Sequence, residues 1–377
     1  MHISPIKPIL AAAVLLAFIP AAFAQSGRVQ PTPTPTPPDE IVKVATEEIK
    51  LNVLAFNVSG AFVPDMTLDD LVIAENNVLH PPSSVRRIPA NVLIVMDTGG
   101  EMRVAKSLDR TRRVAIAVAE ALRDGDQVAV MQYSDRAEVI SEWTTNRAET
   151  VAAIKRSNFG RRSVFVDAIT AARQFMIASG ADNRHIVLIT DGTDSLGRSS
   201  AKFDALQALT ATDISVHVLS YTSMEIDDIE PRSRGVSKSP PPKALPDEVA
   251  AQLPNGARDV ATAPKAVTIN TDRAFIRSMK ARKADLEKSQ EQLEKLAENT
   301  NGTFILPDSP DEMLLKAPLV ARMIDSSYVV TYIPKIPVVD TRGIAERNIE
   351  VTSKRPGLIV QARRKVLIPT DAAGRRR

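Results

Sequence analysis

Two carboxylates stand where an open parallel sheet would present them. The apolar run Val92-Leu93-Ile94-Val95-Met96 stops at Asp97, and the run Ile186-Val187-Leu188-Ile189 gives way to Thr190 and Asp191. Continuous apolar runs of this kind suit strands buried on both faces. In open α/β sheets the functional groups gather beyond the carboxyl ends of such strands. A third polar point, Ser163 in GRRSVFVDA, opens the helix predicted between them. The available chemistry is that of oxygen donors and acids. With no cysteine there is no thiolate nucleophile, zinc thiolate or iron–sulfur cluster, and four histidines leave few routes to imidazole catalysis. No nucleophile elbow GxSxG, zinc-binding HExxH or phosphate-cradling glycine loop occurs.

The elements that must position these groups follow from periodicity. Helical spacing runs from Arg103 to Leu122, and strands at Gln127–Tyr133 and Ala137–Trp143 are close enough for a hairpin. Helices are predicted over Arg147–Lys155, Val166–Ala178 and Ser199–Ala211, with a strand at Ile214–Leu219. Strands interleaved with helices, plus one antiparallel edge, specify an α/β fold with a doubly wound, mostly parallel sheet. From Glu230 to Val267 periodicity fails, and a disordered insertion is expected. A charged helix then runs from Arg273 to Asn299. Outside this region the pattern has period two: Glu48–Val58 and Leu71–Ile73 before it, Ser327–Ile333, Asn348–Ser353 and Leu358–Arg363 after it. Neither set buries two faces alone, so the two are expected to pair as a smaller β-sandwich-like domain that carries the α/β domain as an insertion.

The ordered set IVMDTGGEM, the DAI helix at Asp167 and LITDGTD resembles the von Willebrand factor type A domain. Over roughly residues 41–368 the chain resembles secreted, acidobacterial-type relatives of that domain. There a β-rich segment precedes the domain, and segments like SSYVVTYIP and KRPGLIVQARR close it. The resemblance implies a Rossmann-like domain used for recognition. In the family an Asp-x-Ser-x-Ser loop, a later threonine and a later aspartate hold a divalent ion whose open position accepts a partner's carboxylate. By position Asp97 matches the first ligand, Ser163 the threonine and Asp191 the last aspartate.

The loop departs from that pattern at both serines, which are Gly99 and Glu101 here. Gly99 offers no oxygen, and Glu101 offers a carboxylate on a longer arm. Arg161 and Arg162 stand directly before Ser163. Two readings result. In one, a remodelled site holds magnesium or manganese through Asp97, Glu101, Ser163 and Asp191. In the other, which we favour, the site is degenerate: no cofactor is bound, and a guanidinium of Arg161 or Arg162 pairs with Asp97 or Glu101 in the ion's place.

Composition sets the outer limits. Of 377 residues 44% are apolar and 25% charged, as in a soluble globular protein. A formal charge of +3 offers no field for nucleic acid, and 4% aromatics offer few stacking platforms. Behind Lys7, the apolar stretch Ile9–Phe23 is shorter than the ~20 residues of a spanning helix and ends in Ala22-Phe23-Ala24. That is a signal peptide over 1–24, cleaved after Ala24, and an exported chain, secreted or periplasmic, without a membrane span in its mature form. PTPTPTPP at Pro31–Pro38 makes 25–40 a polyproline spacer. The expected organisation continues with a β-segment at 41–90, the α/β domain at 91–310 with its insertion at 230–267, a β-segment at 318–368 and a tail at 369–377. His185 and His217 read as structural, His80 reads as part of a proline-rich connection with no ligand spacing near it, and the sequon-like Asn57 and Asn301 read as a turn and a helix stop. The function expected is a non-enzymatic module that binds or adheres to an envelope or extracellular protein. The competing classes are an envelope assembly factor and a metal-assisted hydrolase using Asp97, Glu101 and Asp191.

Overall fold

The computed structural model describes residues 48–100, 106–237, 268–269, 271–336 and 344–369. The chain opens with β1 (Ile49–Asn57), β2 (Leu71–Glu75), β3 (Val78–His80) and β4 (Pro82–Arg86). Asn76 and Asn77 both take positive φ, 49° and 65°, which sets the tight turn between β2 and β3. The α/β part follows as β5 (Asn91–Asp97), α1 (Leu108–Ala121), β6 (Gln127–Tyr133), β7 (Ala137–Thr144), α2 (Arg147–Lys155), α3 (Phe165–Ala178), β8 (Arg184–Thr190), α4 (Ser199–Thr210), β9 (Ser215–Ser220) and α5 (Thr222–Ser233). After the short β10 (Val236–Ser237) and β11 (Thr268–Ile269) come α6 (Arg273–Asn299), β12 (Phe304–Ile305) and α7 (Pro310–Asp325). The chain ends in β13 (Ser327–Tyr332), β14 (Ile344–Ser353), β15 (Leu358–Ala362) and β16 (Lys365–Pro369).

The central sheet has the order β12-β9-β8-β5-β6-β7 and is parallel except for β7, which runs antiparallel to β6. This is the doubly wound α/β sheet that the periodicity specifies. Val92 through Met96 are fully buried because helices cover both faces. One core joins Val92, Ile94 and Val187 to Val114 and Val118 of α1 and to Val320 and Ile324 of α7. The other joins Leu93, Val95 and Leu188 to Phe165 and Ile169 of α3 and to Leu293 and Leu296 of α6. Side-chain caps fix several helix starts: Ser107 accepts from the Arg110 amide, Asn146 from Ala148 and Glu149, Asp272 from Ala274 and Phe275, and Ser309 from Glu312.

The flanking strands form two four-stranded sheets, β15-β1-β13-β4 and β16-β14-β2-β3. β1 pairs antiparallel with β13 and β15, and β2 with β14, so the segments before and after the α/β part are hydrogen-bonded together. Leu51, Val53, Ile73, Tyr328, Val330 and Ile349 share their core. This β-domain is joined to the start of β9 by buried polar contacts. Asn52 Nδ2 donates to Ser215 Oγ at 3.0 Å, and Asn301 Nδ2 donates to the carbonyls of Asn52 (2.9 Å) and Gln361 (3.2 Å). Arg363 donates to the carbonyls of Thr212 and Ile214. The junction lies at the amino ends of the parallel strands, opposite the rim that ends in Asp97.

Three sequence expectations need correction. The β-segment drawn from 318 begins instead at Ser327, because Pro310–Asp325 is helical. Pro310 sits in the first turn, where a missing N–H costs nothing. Met313, Ala317, Val320, Ala321 and Ile324 bury a helical stripe that outweighs the break at Pro318. The insertion begins later than Glu230, since α5 continues through Pro231 to Ser233. The rest of the expected insertion, 238–267, and the expected signal peptide 1–24 and spacer 25–40 lie outside the described residues. His80 belongs to a strand and is buried beside Glu75, rather than lying in a proline-rich connection. Asn301 at φ 56° is a buried helix stop, and the Asn57 side chain closes a turn by accepting from Ser59 and Ala61.

Candidate functional site

β5 and β8 are neighbours in parallel register, Met96 opposite Ile189, so Asp97 and Asp191 emerge at the same rim. Both carboxylates are buried, Asp97 completely. Asp97 Oδ1 accepts from the Gly99 amide at 3.1 Å, and Ser163 Oγ lies 3.2 Å from each Asp97 oxygen. Tyr133 OH reaches Thr190 Oγ1 at 2.6 Å, and that hydroxyl points at Asp97 Oδ2 from 3.5 Å. Asp191 Oδ1 accepts from both the amide and the hydroxyl of Thr193, each at 2.7 Å. The structure therefore brings Asp97, Ser163, Asp191 and Gly99 together. Glu101 lies outside the described residues.

The cation beside these carboxylates is Lys106, which sequence reasoning missed. Its Nζ lies 2.6 Å from Asp97 Oδ2 and 3.6 Å from Asp191 Oδ2, and its side chain is only 2% exposed. Arg282, in the third turn of α6, comes in from another side. Its Nη2 lies 3.4 Å from Asp191 Oδ2 and 3.1 Å from the buried Glu225 Oε2. The expectation that Arg161 or Arg162 neutralises Asp97 is thereby corrected. Both arginines are exposed, and neither forms an ion pair among the described residues. Their backbone does the local work: the Arg161 and Arg162 amides donate to Asp135, and the Arg162 carbonyl accepts from Gly100. The same carbonyl explains Gly99, since a Cβ there would lie 1.7 Å from it. Gly160 is tied in the same way, a Cβ there meeting Ser134 Oγ at 2.4 Å.

Electrostatics follow from burial and these partners. Burial pushes the Asp97 carboxyl above its ordinary range, against the pull of Lys106 and with the nearby Asp191 charge adding to the rise. Burial acts on Asp191 too, yet Lys106, Arg282 and the Thr193 hydrogen bonds outweigh it and hold that carboxyl below the ordinary range. For Lys106 burial opposes the charge, but Asp191, Asp97 and Glu225 prevail and keep the ammonium protonated above its usual range. Burial, with the charges of Asp97 and Asp191, pushes the Tyr133 phenol far up.

Among the described residues, the rim leaves no open place for the divalent ion that the fold family implies. A hard cation needs about six oxygens around it, and the space between Asp97 and Asp191 is taken by an ammonium nitrogen within hydrogen-bonding distance of the first. Outward of that nitrogen lies a pocket of about 410 Å³ lined by Gly100, Arg161, Ser163, Thr193, Ser195 and Ser278, among others. It can take up hydrogen-bonding groups through hydroxyls and guanidinium N–H donors.

A family profile agrees with the α/β part of this architecture. A von Willebrand factor type A domain profile matches residues 92–193, from the start of β5 to the Thr193 loop. The chain is 25% identical over 140 residues to an uncharacterized protein of Synechocystis and 29% identical over 150 residues to a UPF0353 protein of Mycobacterium ulcerans. Each match covers 36% of this chain, and the chain spans only 33% and 44% of those relatives. Among solved structures, an aerotolerance-related membrane protein from Bacteroides fragilis aligns at 17% identity and TM-score 0.36, over 62% of this chain and 98% of that one. Among the described residues no helix is long and apolar enough to cross a membrane. The parallel sheet, the two aspartates at its rim and the matched segment agree in placing a von Willebrand factor type A domain at residues 92–193 of this chain.

Proposed function

We propose that the protein is an exported, non-enzymatic recognition module, of the secreted acidobacterial-type branch, whose rim binds a protein partner at the cell envelope or outside the cell without a divalent ion. The observation that carries this reading is Lys106 Nζ at 2.6 Å from Asp97 Oδ2, in the space a metal would need. A metal-assisted hydrolase is disfavoured on the same ground. His80, His185 and His217 are buried in strands away from the rim, so among the described residues no imidazole base stands beside it. What remains is a polar pocket on a rigid sheet, flanked by the exposed Arg161, Arg162, Phe159 and Leu196. Arginine and aromatic side chains are the usual anchors of protein interfaces. Affinity capture from envelope extracts tests the reading, comparing the mature protein with an Arg161→Glu/Arg162→Glu variant, each with and without chelator. Capture of the same partner by the parent in both conditions, lost in the variant, is expected. Capture abolished by chelator contradicts a metal-free rim, and capture unchanged in the variant moves the contact elsewhere, as an assembly factor working through its β-domain would require.

A further inference from the structure

The disagreement between the family's ion and this site has a definite physical content. The Lys106 ammonium sits inside the ring formed by Asp97, Gly100, Ser163 and Asp191: a Cβ built on Gly100 would lie 3.9 Å from Nζ and 3.8 Å from Ser163 Cβ. An ammonium brings three donors and one charge on a flexible stem, and it needs no water shell once carboxylates surround it. Arg282 adds a second positive charge at Asp191 and Glu225. The two side chains together supply the two charges of one divalent ion. They do so from two elements, the segment leading into α1 and the long helix α6.

We infer that Lys106 is the resident cation of this site, a tethered substitute for the ion, and that a latent divalent-metal site lies beneath it. The inference rests on the metal-free reading of the rim and adds what replaced the metal. Removing the ammonium leaves two buried carboxylates facing each other, of which Arg282 pairs with Asp191 and not with Asp97, and that is costly in a low-dielectric interior. Space opens where Nζ stood, and Asp97, Ser163 and Asp191 then present oxygen to it. A small hard cation is the ligand those donors take.

The test uses the mature chain with Lys106→Ala and Lys106→Met, followed by thermal unfolding and by calorimetric titration with manganese or magnesium chloride. The parent is expected to show no response to millimolar metal. Both variants should unfold at lower temperature, recover part of the loss when manganese is added, and bind it at least about tenfold more tightly than the parent, since a ligand that binds only the folded state raises stability by mass action. Adding Asp191→Asn to either variant should remove the gain. If a variant does not fold alone, it is refolded with and without manganese, and a higher yield with the metal is the expected result. Variants that neither respond to nor refold better with metal overturn the resident-cation inference and leave the metal-free rim standing. Micromolar binding by the parent contradicts the metal-free reading itself.

Discussion

At Gly99 the backbone leaves no room for the hydroxyl that the family's loop carries at that place. A Cβ would collide with the Arg162 carbonyl, and the Gly100 amide donates to that same oxygen at 3.0 Å. Glycine is therefore a packing requirement of the loop 160–163 as well as a missing ligand. Gly99→Ser is expected to lower stability by roughly 1–3 kcal/mol in urea unfolding, because a side chain forced into packed backbone must displace it. It should not create metal affinity. Arg162→Ala is expected to change stability by no more than about 0.5 kcal/mol, as its side chain is exposed and its carbonyl remains. A serine variant as stable as the parent, or an alanine variant much less stable, would show that the contact is wrongly assigned. The sequence states which residues can hold charge, but not which cation reaches a buried carboxylate. Lys106 lies nine positions beyond Asp97, past the end of the motif, and Arg282 lies 91 positions beyond Asp191. No spacing rule links either to its partner.

Among the elements, those with unbroken patterns were legible from sequence. The apolar runs gave β5 and β8, and the hairpin β6–β7 and the helices α2 and α6 lie where periodicity places them. The elements that escaped are the helices carrying proline, α5 with Pro231 and α7 with Pro318. Local propensity argues against them, and tertiary burial of one apolar stripe decides otherwise. In α6 the charged run Lys280–Lys288 reads as a solvated face, with Leu286, Leu293 and Leu296 as sparse apolar anchors along the helix. Leu286, Ser289 and Leu293 are buried, and Gly192 is packed so closely on Leu293 that a Cβ would meet its Cδ1 at 2.7 Å. The helix has two regimes: a packed carboxyl half, and an amino half held at the rim by Arg282 and by the Lys283–Glu230 pair at 2.5 Å. Arg282→Ala should therefore loosen the first turns selectively. Amide hydrogen exchange is expected to quicken over 274–284 and to stay unchanged over 290–297. Stability should fall by about 1–3 kcal/mol, with the figure held down by the 29% exposure of the guanidinium. Uniform exchange along the helix would mean that Arg282 does not anchor it.

For the whole molecule, a buried histidine pair sets the acid limit. His185 and His217 stack with ring centroids 5.4 Å apart, Nδ1 of the first lies 3.1 Å from Nε2 of the second, and His185 Nε2 lies 2.9 Å from Asn183 Oδ1. Burial pushes His217 down from 6.5 to about 4, and burial with the His217 neighbour pushes His185 well below 6.5. Below pH 6.5 the unfolded chain takes up protons that the folded chain refuses, so stability is full above 6.5 and is lost as pH falls toward 4. His217 alone accounts for about 3 kcal/mol of that loss. Asp97 and Asp126, raised by burial, act in the opposite direction. The clean comparison is therefore between the parent and His217→Phe, with urea midpoints measured at about pH 7.5 and about pH 4.5. The parent should lose more stability on acidification than the variant, and equal losses would exclude the pair as the cause. The central claim concerns the other end of the sheet, where the chain supplies its own cation. Calorimetric titration of the protein with magnesium and with manganese tests it most directly. The expected result is no binding tighter than millimolar and no change in melting temperature, and stoichiometric micromolar binding of either ion would contradict the claim.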